Sequence, residues 1–154
     1  MRKRIYLALI ERLKQIKDEA GAPIIKHFDL WNRNIEFAEL DGVFPMPAVF
    51  VEFLPIAWKK SPGGRQEAQM RVSLHIATEA KAPTADKSKH LDRSLAFFDL
   101  IDEINQALSF FKGDGHGLFC RTESLTNHDH AEILESIETY ETHVIDSSGV
   151  KRET

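Results

Sequence analysis

The chain has 154 residues, 42% hydrophobic and 29% charged, with a net charge of -4. That length suits one domain with a single core, and the acidic balance gives no reason to expect a nucleic-acid surface, which shows a basic excess on one face. The single cysteine, Cys120, excludes an intramolecular disulfide framework and any multi-cysteine metal site.

The basic start resembles a secretory leader only briefly, because Glu11, Arg12 and Lys14 interrupt its apolar run. No other stretch approaches the roughly 18 apolar residues of a membrane span. The chain is therefore expected to be soluble and not exported. Residues 2 to about 20 read as an amphipathic helix: Ile5, Leu9, Leu13, Ile16 and Ala20 share one face, and Gly21 and Pro23 end it. Residues 24–39 hold short apolar pieces around Trp31, suggesting one or two short strands, and Asp41-Gly42 signals a turn.

Residues 47–54 form the firmest predicted strand, β-branched and aromatic, with prolines at both ends. Only Glu52 interrupts its apolar character, so both faces should be covered. A long loop, residues 55–65, leads to a partner strand over residues 67–77. There Ala68, Met70, Val72, Leu74 and Ile76 alternate with polar residues, the pattern of a half-solvated antiparallel strand. Residues 78–89 read as a polar, flexible loop. A second helix follows, with Leu91, Leu95, Phe98, Ile101, Ile104, Leu108 and Phe111 as its inner stripe and Gly113 closing it. Residues 118–125 look like a strand and residues 126–130 like a polar turn. The last element fits helix or strand by spacing, but its Ile, Thr, Tyr and Val content favours a strand.

The expected architecture is α+β: an antiparallel sheet of about four strands with two main helices packed on one face. It would occupy residues 1–146, followed by a polar tail over 147–154.

Several groups invite a chemical reading. His128 and His130 alternate on an extended segment, and His116 stands in the preceding turn; three imidazoles can hold zinc with a water in the fourth position. No His-Glu-x-x-His spacing supports this, and Asn-His-Asp-His equally suits a solvated turn whose side chains bond their own backbone. The glycine-rich residues 113–117 lack the Lys and Ser/Thr of a phosphate loop and follow a helix instead of opening one. Cys120 lacks an evident base and reads as a half-buried structural thiol. Lys59, Lys60 and Arg65 surround Trp58 in the long loop, which suits an exposed protein-contacting arm, with Trp58 as an interface anchor. No group reaches the standard of a catalytic site, so a structural or binding role without metal or cofactor is expected. The alternatives are a small metal-dependent enzyme using His116, His128 and His130, or a bacterial α+β ligand-binding module.

The order of elements and several strings resemble the tail terminator and tail-completion proteins of long-tailed bacteriophages and prophages. The strings are Pro47-Ala-Val-Phe-Val-Glu-Phe53, Met70-Arg-Val-Ser-Leu-His-Ile76 and Leu91-Asp-Arg-Ser-Leu-Ala-Phe-Phe-Asp-Leu-Ile101. To these are added Phe119-Cys-Arg-Thr-Glu-Ser-Leu-Thr-Asn-His-Asp-His130 and Ile137-Glu-Thr-Tyr-Glu-Thr-His-Val144. The resemblance spans most of residues 1–146; residues 24–45 match no family feature. It implies a non-enzymatic component of the virion, assembled in the host bacterial cytoplasm. It further implies a homo-oligomeric, commonly hexameric ring that meets the tail tube protein and the head connector protein, without membrane or specific nucleic-acid binding.

Overall fold

The computed structural model describes residues 1–36, 44–80 and 84–150. Its backbone is one sheet with two helices: α1 (Arg2–Leu13), β1 (His27–Leu30), β2 (Ala48–Phe53), β3 (Lys59–Lys60), β4 (Gln66–Glu79), α2 (Leu91–Ser109), β5 (Cys120–Asn127) and β6 (Ile133–Asp146). The strands run in the order β1-β2-β4-β6-β5, with β3 paired to the start of β4. No helix among the described residues is long and apolar enough to cross a membrane.

The class is α+β, but the expected sheet of about four antiparallel strands is corrected. Six strands form it, and it is mixed, because β1 lies parallel to β2 with His27 opposite Ala48 and Leu30 opposite Val51. Parallel neighbours cannot be joined by a tight hairpin. The connecting segment must therefore cross a face of the sheet, and its described residues do so: Trp31, Ile35, Phe44 and Met46 pack on Ala48, Phe50 and Ala77. Asp41-Gly42, read above as a turn, and residues 37–39, the end of the stretch read as short strands, lie outside the described residues.

This crossover explains why β2 is apolar on both sides. Val49 and Val51 join the main core under the helices, while Ala48 and Phe50 join the smaller cluster on the other face. The long β4–β6 ladder, from Gln66 opposite Asp146 to Glu79 opposite Ile133, is the backbone of the sheet. On its helix side Met70, Val72, Leu74, Ile76, Tyr140 and Val144 meet Ile5, Leu9 and Leu13 of α1 and Phe97, Ile104 and Leu108 of α2.

Three further expectations shift. α1 stops at Leu13, well short of residue 20. Ile16 stays buried, but the chain turns back: the Ala22 N–H donates to the Asp18 carboxylate at 2.9 Å, and Gly21 takes a φ of 81° that favours glycine. The outer residues of β4 are not simply solvated, since Ser73 and His75 are buried beneath the crossover side. The inner stripe of α2 is rotated: Phe97, Leu100, Ile101, Ile104 and Leu108 face in, while Leu95 is 37% and Phe98 58% exposed. Apolar residues at 95, 97, 98, 100 and 101 cover more than half the helix circumference, so periodicity alone cannot say which edge of that stripe the sheet takes.

The rotation yields a direct test. Phe97→Ala should cost about 3 to 5 kcal/mol as a core truncation, whereas Phe98→Ala should stay within about 0.5 kcal/mol. Urea unfolding of both variants checks this; a larger loss for Phe98→Ala would restore the original stripe.

Candidate functional site

The three histidines do not meet. His116 is buried between the rings of Phe111 and Phe119, at 5.0 and 5.2 Å, its Nδ1 lies 2.8 Å from the Gly117 carbonyl, and its backbone bridges to Val144. His128 and His130 follow β5 in the turn to β6, beyond the Asn127–Glu135 pair. Nine residues of β6 separate position 135 from position 144, roughly 30 Å of strand. The His116/His128/His130 metal-site alternative therefore lacks its geometry. Among the described residues no group of three or more His, Cys, Asp or Glu is placed to hold a metal. The turn shows the local chemistry of its residue types, with the Asp129 N–H donating to the Asn127 side chain at 3.0 Å. Cys120 is exposed at the start of β5 and not half-buried as expected, because β5 is the outermost strand and its side chains there meet solvent.

The long loop is a built arm. Lys59 and Lys60 form β3 against Glu67 and Gln66, the Ser61 N–H donates to the Arg65 carbonyl at 2.9 Å, and a 3-10 turn over Pro62–Gly64 closes the tip. Gly64 has φ 79°, and a Cβ there would stand 2.5 Å from the Gly149 carbonyl oxygen, so the tip also lies tight against the C-terminal segment. Lys59, Lys60 and Arg65 are exposed, whereas Trp58 is half-buried and packs on its own core. Within the monomer Trp58 roots the arm, and the three cations form its outer surface.

Sequence reasoning missed a buried polar cluster on the crossover face. His75 meets two carboxylates, Glu135 Oε1 at 2.8 Å from Nδ1 and Glu52 Oε2 at 2.9 Å from Nε2. Trp31 stacks flat on the imidazole, 3.7 Å between centroids with an interplanar angle of 4°. The Asn127 amide donates to Glu135 Oε2 at 2.7 Å, and the hydroxyls of Ser73 and Thr139 pair at 2.8 Å. Carboxylates only accept, so both imidazole contacts are satisfied when the ring carries both protons or a carboxyl carries one. Glu135 is only 1% exposed. Such a group needs every partner it has, and the cluster links β1's exit, β2, β4, β5 and β6 in one register.

A second polar knot sits on the helix side near the β5 edge. The hydroxyls of Ser124 and Ser136 donate to buried Glu138 at 2.6 and 2.7 Å, and Arg121 donates at 3.2 Å. Beside it the Tyr140 hydroxyl has no partner among the described residues; burial pushes its pKa up, with Arg121 opposing and Glu138 and Asp102 adding. Both knots are closed by their own partners and read as structural. A cleft of about 480 Å³ opens between the first half of α2 and the last residues of β4, lined by Ile24, Thr78, Ala80, Arg93, Phe97 and Leu134.

No family model matches the chain, and no curated protein matches it in sequence. Among solved structures, the fold is similar to a chain described as "Virion of native gene transfer agent (GTA) particle", with a TM-score of 0.55 and 11% identity. The match covers 92% of this chain and 95% of that one. At this identity the likeness is one of fold.

Proposed function

We propose that the chain is a structural, non-enzymatic component of a phage-like particle, a tail terminator-like subunit that rings the end of the tail tube and joins it to the head connector. The observation that carries this reading is the fold shared with the virion chain along nearly the full length of both, 92% and 95%. A fold likeness alone does not assign a function; the family-like strings over residues 47–53, 70–76, 91–101, 119–130 and 137–144 add the tail-terminating role. The chain's polar clusters are closed and its exposed arm is basic, features that suit a subunit recognised by surfaces. On this reading the chain assembles in the host bacterial cytoplasm and ends in the particle.

The test is deletion of its gene in a strain that produces such particles, followed by electron microscopy of the lysate. Filled heads lying apart from tails, with tails of irregular length, are the expected result, and supplying the chain in trans should rejoin them. Normal particles from the deletion strain would overturn the proposal.

A further inference from the structure

Among the exposed charges that form no ion pair within one copy, two groups of opposite sign are clustered on single elements. On the arm, Lys59, Lys60 and Arg65 are exposed, and none forms an ion pair among the described residues. On α2, helical spacing puts Asp92, Asp99, Asp102 and Glu103 on the side away from buried Phe97, Ile101, Ile104 and Leu108. All four carboxylates are exposed and likewise form no ion pair among the described residues. Among them stand Leu95 and Phe98, the two large apolar side chains of α2 that are exposed. An exposed aromatic rimmed by unpaired charge of one sign is a surface suited to a partner of the other sign.

Asp92 and Asp99, in the first half of α2, cannot meet the arm within one copy. β3 pairs with Gln66 and Glu67, the first residues of β4. The first half of α2 lies against Thr78, Glu79 and Ala80, at the other end of that strand. Fourteen residues of strand span roughly 45 Å, while the arm is pinned at its root by Trp58 and at its tip by Gly149. Complementary patches on different parts of one copy make a head-to-tail contact between copies, the heterologous kind that generates a ring when the rotation closes.

We propose that the arm of one copy, through Lys59, Lys60 and Arg65, seats on the outer face of α2 of a second copy, where Leu95 and Phe98 lie among Asp92, Asp99 and Asp102. This rests on the ring reading above and names the two surfaces that would build it. Leu95 and Phe98 supply the dry contact, and the charges set its direction, since arm against arm or helix against helix would place like charges together.

The experiment is sedimentation velocity with negative-stain microscopy on the full chain, over a concentration series at low and high salt. Four proteins are compared: the native chain, an arm reversal (Lys59→Glu with Lys60→Glu), a helix reversal (Asp92→Lys with Asp99→Lys) and a chain carrying all four changes. Each single reversal should weaken self-association by at least about 10-fold, and the four-change chain should regain it, because its arm and helix are complementary again. High salt should weaken the native contact, and Phe98→Ala should weaken it without altering the melting temperature. Circular dichroism establishes that every variant is folded. Native chains that form rings while the reversals associate equally well would overturn this interface and leave the ring reading standing. A native chain that stays monomeric at every concentration would overturn the interface, and the ring reading would then stand or fall on the gene-deletion experiment.

Discussion

Val51→Asp is expected to leave the chain unable to fold. Val51 is 1% exposed, lies between Leu30 of β1 and Leu74 of β4 in the ladder, and belongs to the core beneath the helices. An aspartate there would bury a carboxylate with only apolar side chains around it, an effective cost of several kcal/mol after relaxation. It would also forfeit the roughly 1.5 to 3 kcal/mol gained by burying the valine. Domains of this size are stable by about 5 to 15 kcal/mol in all, so little or nothing would remain. The expected observation is aggregated protein, or protein with no cooperative melting transition. A cooperative transition within a few degrees of the native one would mean that this face of β2 is not in the core.

His75→Ala should cost about 1 to 3 kcal/mol, the penalty for removing one member of a buried hydrogen-bonded group and leaving its partners unsatisfied. Glu135 would keep only the Asn127 amide, and Trp31 would lose the ring on which it stacks. The more informative variant is His75→Leu combined with Glu135→Leu. Apolar replacement of both partners removes the unsatisfied polar atom that each single change leaves, so the pair should lose clearly less than the sum of the single changes. Urea denaturation of His75→Leu, Glu135→Leu and the double variant gives the coupling directly. A loss below about 1 kcal/mol for His75→Ala, or strict additivity, would show that the cluster is a passive contact and not a register-fixing device.

The strongly patterned elements were legible. The apolar run that becomes β2, the alternation in β4 and the β-branched content of β6 each carry their own period, and local pattern decided them. Short strands were expected within residues 24–39, but β1 could not be placed, because the alternation of His27–Leu30 lasts only four residues and says nothing of its partner. With its partner unknown, the parallel pairing and the crossover were hidden. The missing crossover then misled the reading of His75: a polar residue on the outer face of a strand looks solvated until another segment is known to cover it. Phe98 erred in the opposite sense, since an apolar residue at a helical spacing looks buried unless a neighbour in the stripe, here Phe97, takes the place. The arm is a mixed case. Its length and its cations were read from sequence, but the burial of Trp58 against its own core depends on where β3 pairs with β4.

The most direct measurement of the central claim is the position of the chain in a purified particle. Particles from a strain carrying the chain with a gold-binding tag on its C-terminus, imaged by electron microscopy, should show label confined to the junction of tail and head. Label spread along the tail, or particles that contain none of the chain, would contradict the account.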